Sequence, residues 1–444
     1  MTAAPQWNTR AGFILASAGS AVGLGAIWKF PYWAGINGGA AFIIPYLFFT
    51  FTFGIALVMA ETAVGRRGRG SAVSAMKALG GRAFGAAGAL GVLASFVILS
   101  YYSVVGGWCL AYLWNALRGA LTIPDTEILR DNFSSLVTDG TANAGWHFAF
   151  LTITAAIAAL GVRAGIERLA RVLMPLLFVL MAALIVRSLT LPGAADGVRF
   201  LFQFDPSLIT GSAVLNALGF TFFSLSLGIG VLVTYGAYLK PGAADIRASS
   251  FWICLLSTLA SLMAGLMTMP AVFAFGLEPN AGPGLTFITL PLIFAQLPFS
   301  ALLACCFYLC LLVAAITSAI SLLEVVAAFL VNDCGLRRTA AVALCWGLAF
   351  ALGCASALSF GPWADFTLSG RSIFDVLDFV CTNFLMPLGG LAVALLAGFK
   401  AWPQVAEELS TPRPFRRGEA ALLRFSIAVL APLLIVVTFV RDLI

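Results

Sequence analysis

Charge is what this 444-residue sequence has least of: Asp, Glu, Lys and Arg together make up 10% of it, against about 25% in soluble globular domains. Hydrophobic residues make up 61%, which leaves no room for a sizeable water-soluble domain. Histidine is nearly absent. The one copy, His147, stands at a predicted helix start, where an interfacial side chain is expected. The nine cysteines fall mostly inside apolar stretches with no metal-ligand spacing, and the long polar segment 119–145 has none. We therefore expect neither a disulfide nor a metal centre. An intramembrane enzyme would need a nucleophile with a base, or paired carboxylates, at depth. Here the mid-depth polar groups are mainly hydroxyls, and no histidine accompanies them.

What the sequence does have is repeated apolar stretches of about 20 residues, each able to cross a hydrocarbon core of about 30 Å. Charge clusters and Pro/Gly turns divide them into eleven spans, at 11–34, 40–64, 86–117, 146–162, 166–189, 212–239, 247–275, 299–331, 339–358, 373–399 and 421–441. The first has Gly, Lys and Pro within its apolar run and no small-residue cleavage site, so we read it as a retained helix rather than a signal peptide. Seventeen Lys and Arg fall in one set of alternate loops and six in the other. This predicts a cytoplasmic N-terminus and, with an odd number of spans, an extracytoplasmic C-terminus. The net charge of +6 then follows topology and is no nucleic-acid footprint. The partner of this surface is the lipid bilayer.

Two spans are interrupted by small and polar residues near mid-depth: Ser17-Ala18-Gly19-Ser20-Ala21-Val22-Gly23-Leu24-Gly25 in the first, and Phe222-Phe223-Ser224-Leu225-Ser226-Leu227-Gly228-Ile229-Gly230 in the sixth. Glycine costs about 1 kcal/mol against alanine inside a helix. An unwound backbone at membrane depth also needs protein or a polar cavity to satisfy its amides. Glycines can instead serve close helix packing. Interruptions five spans apart fit an inverted repeat of two five-helix halves, 11–189 and 212–399, with 421–441 as an extra C-terminal helix of a single polytopic domain spanning 1–444.

Trp7-Asn8-Thr9-Arg10, Gly12-Phe13-Ile14-Leu15-Ala16, Ala21-Val22-Gly23-Leu24-Gly25, Trp28-Lys29-Phe30-Pro31-Tyr32 and Asn37-Gly38-Gly39-Ala40-Ala41-Phe42 together resemble the opening of the neurotransmitter:sodium symporter family. The likeness continues through Tyr101-Tyr102, the sixth-span motif, Thr286-Phe287-Ile288-Thr289-Leu290-Pro291 and Thr317-Ser318. It looks like the bacterial amino-acid branch. The resemblance implies an all-α membrane protein with the LeuT-like fold. It also implies sodium-coupled import of a neutral, hydrophobic amino acid across the bacterial inner membrane.

By the same resemblance, one sodium site comprises carbonyls of Gly19, Val22 and Ala314 with the hydroxyls of Thr317 and Ser318. Oxygen donors of this kind suit a small hard cation without burying a carboxylate. The other sodium site, at Ala21, Ala26, Ser224 and Ser257, is less complete: the family has asparagine where Ala26 stands and asparagine or aspartate near Ser257, so two side-chain oxygen donors are missing or shortened. Phe220 replaces a glutamine of the chloride-dependent members, so chloride is not expected. The substrate-binding residues implied are Ser20, Ala21, Val22, Gly23, Leu24, Gly25, Ile98, Tyr102, Phe223, Ser224, Ser226, Ile229, Ser318 and Leu322. The Leu24 and Gly25 amides at a broken-helix N-terminus would meet the carboxylate. Gly23 lies where monoamine carriers of the family place an aspartate, which favours an amino acid over an amine.

Lys29 and Asp378 match the outer-gate ion pair, with lysine in place of arginine, and Trp7 with Tyr238 matches the inner gate. Tyr102 and Phe223 form the implied lid, and Glu61 the residue that secures the sixth-helix amides. Gly165 and Pro175 have the spacing of a family motif that lets the fifth helix unwind at its inner end. Two alternatives stand beside sodium symport: a proton-coupled carrier of the same fold, with Glu324 as the feature to test, and a nontransporting amino-acid sensor.

Overall fold

The computed structural model describes residues 5–242, 244–277 and 284–441. Among these residues the regular elements are helices, with one isolated bridge between Leu368 and Arg371. In chain order they are α1 (Arg10–Ala21), α2 (Gly25–Ile36), α3 (Ala40–Gly68), α4 (Ala72–Gly80), α5 (Arg82–Leu117) and α6 (Thr126–Thr138). There follow α7 (Gly140–Ala159), α8 (Val162–Leu189), α9 (Ala194–Phe202), α10 (Gly211–Ser224), α11 (Val231–Ala237) and α12 (Ile246–Ala274). The last six are α13 (Leu285–Ala295), α14 (Ser300–Asn332), α15 (Arg338–Leu358), α16 (Ile373–Lys400), α17 (Trp402–Leu409) and α18 (Glu419–Val440).

Among the described residues nine helices are long and apolar enough to cross a membrane, and α1 with α2 forms a tenth crossing bent by 53°. The expected sixth span is divided into α10 and α11, neither long enough by itself. The apolar window of α14 is 72% buried, which puts this helix at the centre; the windows of α8 and α18, 28% and 22% buried, face lipid. The long α5 packs along α14, so these two helices form one wall of the molecule's middle.

Boundaries moved where polar caps extend helices beyond the apolar run. Asp139 accepts hydrogen bonds from the Thr141 and Ala142 amides, so α7 starts at Gly140 rather than near 146. His147 is consequently two turns inside the helix. It is fully buried and stacked on Phe350 at 5.2 Å, not at the interface as its sequence position suggested.

The two interruptions have distinct backbones. α1 stops because Val22 leaves the helical region, with ψ 64°, and α2 restarts at once. In the second break Ser226, Gly228 and Gly230 have φ of 53°, 79° and 77°, a left-handed geometry for which two of the three positions carry glycine. Gly228 is required for space as well, since a Cβ there would lie 2.0 Å from the Met386 carbonyl oxygen of α16. Protein groups meet the exposed backbone. The Gly228 amide donates to Glu61 Oε1 at 2.8 Å, and Ser95 Oγ donates to the Ile229 carbonyl at 2.6 Å.

Candidate substrate and ion site

Between the two breaks lies a small pocket of about 50 Å³. Eleven of the residues expected around the substrate line it: Ser20, Ala21, Gly23, Gly25, Ile98, Tyr102, Phe223, Ser226, Ile229, Ser318 and Leu322. Leu24 instead faces the outer cavity, while Val22 and Ser224 are buried outside the pocket lining. No charged side chain contributes to the wall, which suits a ligand with no net charge. The polar groups come from the broken backbone and from hydroxyls. The Leu24 amide donates to Tyr102 Oη at 3.0 Å, and Ser226 Oγ donates to the Ser20 carbonyl at 3.1 Å.

On the α14 side, Ser318 Oγ donates to the carbonyls of Gly19 at 3.2 Å and Ser20 at 3.0 Å. Thr317 Oγ1 turns back to Val313 and Ala314 carbonyls, at 3.1 and 3.0 Å. Gly19 is close enough to Thr317 that a Cβ would stand 3.2 Å from the threonine Cβ. Oxygens of the broken first helix and of α14 are therefore gathered in one place, each carbonyl keeping a second lone pair and each hydroxyl free to rotate. On the other side of the break Ser257 Oγ donates to the Ser224 carbonyl at 3.0 Å. Ala26, fully buried nearby in sequence, adds no side-chain oxygen.

Above the pocket is an outer cavity of about 290 Å³ that shares Gly25, Ile98, Tyr102 and Phe223 with it. These residues form the layer between them. Lys29 Nζ lies 3.8 Å from Asp378 Oδ1 and 4.4 Å from the centre of the Phe223 ring. Tyr101 Oη donates to the same Asp378 oxygen at 3.0 Å. On the opposite side Trp7 is held against the sixth crossing: its indole N–H donates to the Tyr235 carbonyl at 2.9 Å, its amide to the Tyr238 carbonyl at 3.2 Å, and its ring packs on both tyrosines. Tyr238 Oη donates to Glu324 at 2.7 Å, and Arg338 reaches the same carboxylate at 2.5 Å.

Sequence reasoning missed Met386, which lines the pocket from α16, and Ser95, which holds the second break. It also missed Arg338 as the partner of Glu324 and Glu167 as the acceptor for the Asn8 and Thr9 amides, at 2.9 and 3.2 Å. None of the four sits in an unusual local pattern; only the packing of distant helices brings them in.

The model of the Sodium:neurotransmitter symporter family matches residues 4–128 and 124–444. This chain belongs to that family. An uncharacterised sodium-dependent transporter of Bacillus subtilis is 41% identical over 399 residues, covering 89% of this chain and 88% of that one. One from Haemophilus influenzae is 34% identical over 454 residues, 98% of each chain. The crystal structure of MhsT in complex with L-phenylalanine superposes with a TM-score of 0.91 at 39% identity, covering 99% of both chains. The fold is accordingly LeuT-like, and the protein is a multi-pass membrane protein of a sodium-dependent transporter family. These relatives are transporters, not enzymes.

Proposed function

We propose that this family member imports a neutral, hydrophobic amino acid together with sodium, by alternating access between two five-helix halves, 11–189 and 212–399. The observation that carries the reading is the seam where Ser318 reaches the Gly19 and Ser20 carbonyls, next to the uncharged pocket lined by Tyr102 and Phe223. One element, the broken first helix, thereby touches both the candidate ion site and the candidate substrate pocket. Occupancy of either alters the other through that backbone. The relative bound to L-phenylalanine supports an amino acid, and the apolar walls Ile98, Ile229 and Leu322 support a hydrophobic one.

The Leu24 and Gly25 amides with Tyr102 Oη would receive the carboxylate. Carbonyls of Ala21, Phe223 and Ser226 would receive the ammonium. Gly19, Val22, Ala314, Thr317 and Ser318 would hold one sodium; Ala21, Ser224 and Ser257 offer fewer oxygens to a second. Lys29 with Asp378, and Trp7 with Tyr238, would open in turn as outer and inner gates. Chloride independence is supported by Phe220, whose ring fills the space beside Tyr46 at 5.3 Å and packs on Phe30 and Phe42. Proton coupling through Glu324 has less support, because that carboxylate is already paired with Arg338. We place the protein in the bacterial inner membrane with its N-terminus in the cytoplasm, following the distribution of loop arginines and lysines.

The test is binding of labelled hydrophobic amino acids to the purified protein, in sodium and then in potassium, with chloride replaced by gluconate in a parallel series. Sodium-dependent, chloride-independent binding is expected. Binding that is indifferent to sodium would refute the coupling, and binding of none of the neutral amino acids would refute the substrate class.

A further inference from the structure

We infer that Met386 of α16 is the yielding wall that sets how large a side chain the pocket accepts; the inference rests on the amino-acid reading of that pocket. Met386 and Phe223 are the two described residues that line both this small pocket and a further cavity of about 500 Å³. That cavity lies between α2, α10, α16 and α18, with Asn216, Phe222, Thr382 and Ile435 among its walls. These two side chains are therefore the partition between a space of about 50 Å³ and one of about 500 Å³.

The smaller space matters because ligand pockets ordinarily offer about 300–1,000 Å³, whereas this one offers about 50 Å³. A leucine or phenylalanine side chain requires a wall to move. Ile98 and Ile229 are β-branched and stiff at χ1, and Ile229 is further pinned through its carbonyl by Ser95. Leu322 sits on the central, mostly buried α14. Phe223 is held on its face by Lys29, and its edge fills the space where a Cβ on Gly25 would stand, 2.1 Å away.

Met386 differs on both counts that decide whether a wall can yield. Its side chain is unbranched and adaptable, and, although buried itself, it borders the cavity of about 500 Å³. Its backbone, by contrast, is fixed. The Met386 carbonyl abuts Gly228, and Gly389 one turn on abuts the Gly228 carbonyl, where a Cβ would be 2.1 Å from the oxygen. A side chain that swings on a backbone that does not is a size adaptor. The class of ligand it admits is a neutral amino acid whose distal atoms displace the thioether toward α18.

The proposal is tested with full-length protein in proteoliposomes, by competition of sodium-driven uptake with alanine, leucine, phenylalanine and tryptophan. Met386→Ala merges the two spaces, and the affinity ratio of tryptophan to alanine should rise by about ten-fold or more, as expected for methylene-sized changes in an apolar pocket. Met386→Ile replaces the adaptable wall with a stiff one, and the same ratio should fall by a similar factor. The opposed directions separate selectivity from damage to the fold. A ranking unchanged in both variants, or a parallel loss for all four amino acids, would overturn the role of Met386 while leaving the site's function standing. Failure of the wild-type protein to be inhibited by any of the four would instead overturn the amino-acid reading, and this inference with it.

Discussion

A methyl group on Gly23 would stand 2.5 Å from Ser318 Oγ and 2.9 Å from Tyr102 Oη, the two hydroxyls that bridge the first break to α14 and α5. Nothing larger than hydrogen fits there without displacing both. We expect Gly23→Ala to weaken substrate binding by about ten-fold or more, with helix content by circular dichroism unchanged; binding at wild-type affinity would remove Gly23 from the site. At this scale the sequence was informative wherever a residue type was unusual for its depth. Glycines at Gly23, Gly25 and Gly228, and hydroxyls at Thr317 and Ser318, are poor choices for an apolar helix and so pointed to the candidate site. Met386 is an ordinary residue in an apolar run, and nothing local distinguishes it from its neighbours. Its place in the pocket comes from the close approach of Gly389 and Gly390 to the broken sixth crossing, which is a fact of tertiary packing.

The elements that matter most are the two breaks, and their stability depends on partners from other helices. Glu61 on α3 is fully buried and accepts the Gly228 amide, so removing its carboxyl leaves a backbone donor unpaired at membrane depth. Such a loss costs roughly 1–3 kcal/mol. Glu61→Ala should lower the midpoint of thermal unfolding measured on purified protein, and Glu61→Gln, which keeps an acceptor oxygen, should recover most of the difference. Equal destabilisation by both would mean that charge or packing, not this hydrogen bond, is what Glu61 supplies. The existence of the breaks was readable because Gly-x-Gly recurs five spans apart. Their form was not. α10 and α11 are separated by left-handed residues, whereas α1 and α2 are bent with barely an interruption, a difference set by Ser226, Gly228 and Gly230 only once α16 packs against them.

Across the whole molecule, the side of the fold opposite Lys29 and Asp378 is covered by a segment that precedes the first crossing. Glu167, fully buried at the start of α8, accepts the Asn8 and Thr9 amides and Thr9 Oγ1, and is itself paired with Arg171 at 2.6 Å. Trp7 is thereby seated on Tyr235 and Tyr238 by a contact made on α8, the helix that carries Gly165 and Pro175. Glu167→Ala should release that seat. The expected result is faster labelling of a cysteine placed at Tyr238 from the inner side, with labelling at Trp33 in the outer cavity falling; unchanged rates at both positions would show that the inner face is closed by other contacts. The overall plan of apolar spans and broken helices was legible in composition and periodicity. The latch was not, because the Glu167 carboxylate is separated by more than a hundred residues from the amides it binds.

In the proposed function one backbone, the broken first helix, couples an ion to a substrate. The most direct measurement is concentrative uptake of a labelled hydrophobic amino acid into proteoliposomes under an inward sodium gradient, for the wild type and for Thr317→Ala combined with Ser318→Ala. The double replacement removes two of five candidate oxygen ligands with little change in apolar volume. Wild-type vesicles should accumulate substrate above its external concentration only while the sodium gradient lasts. The double variant, inserted normally, should need higher sodium for binding and should not accumulate substrate. Accumulation by the variant with an unaltered sodium dependence would contradict the account.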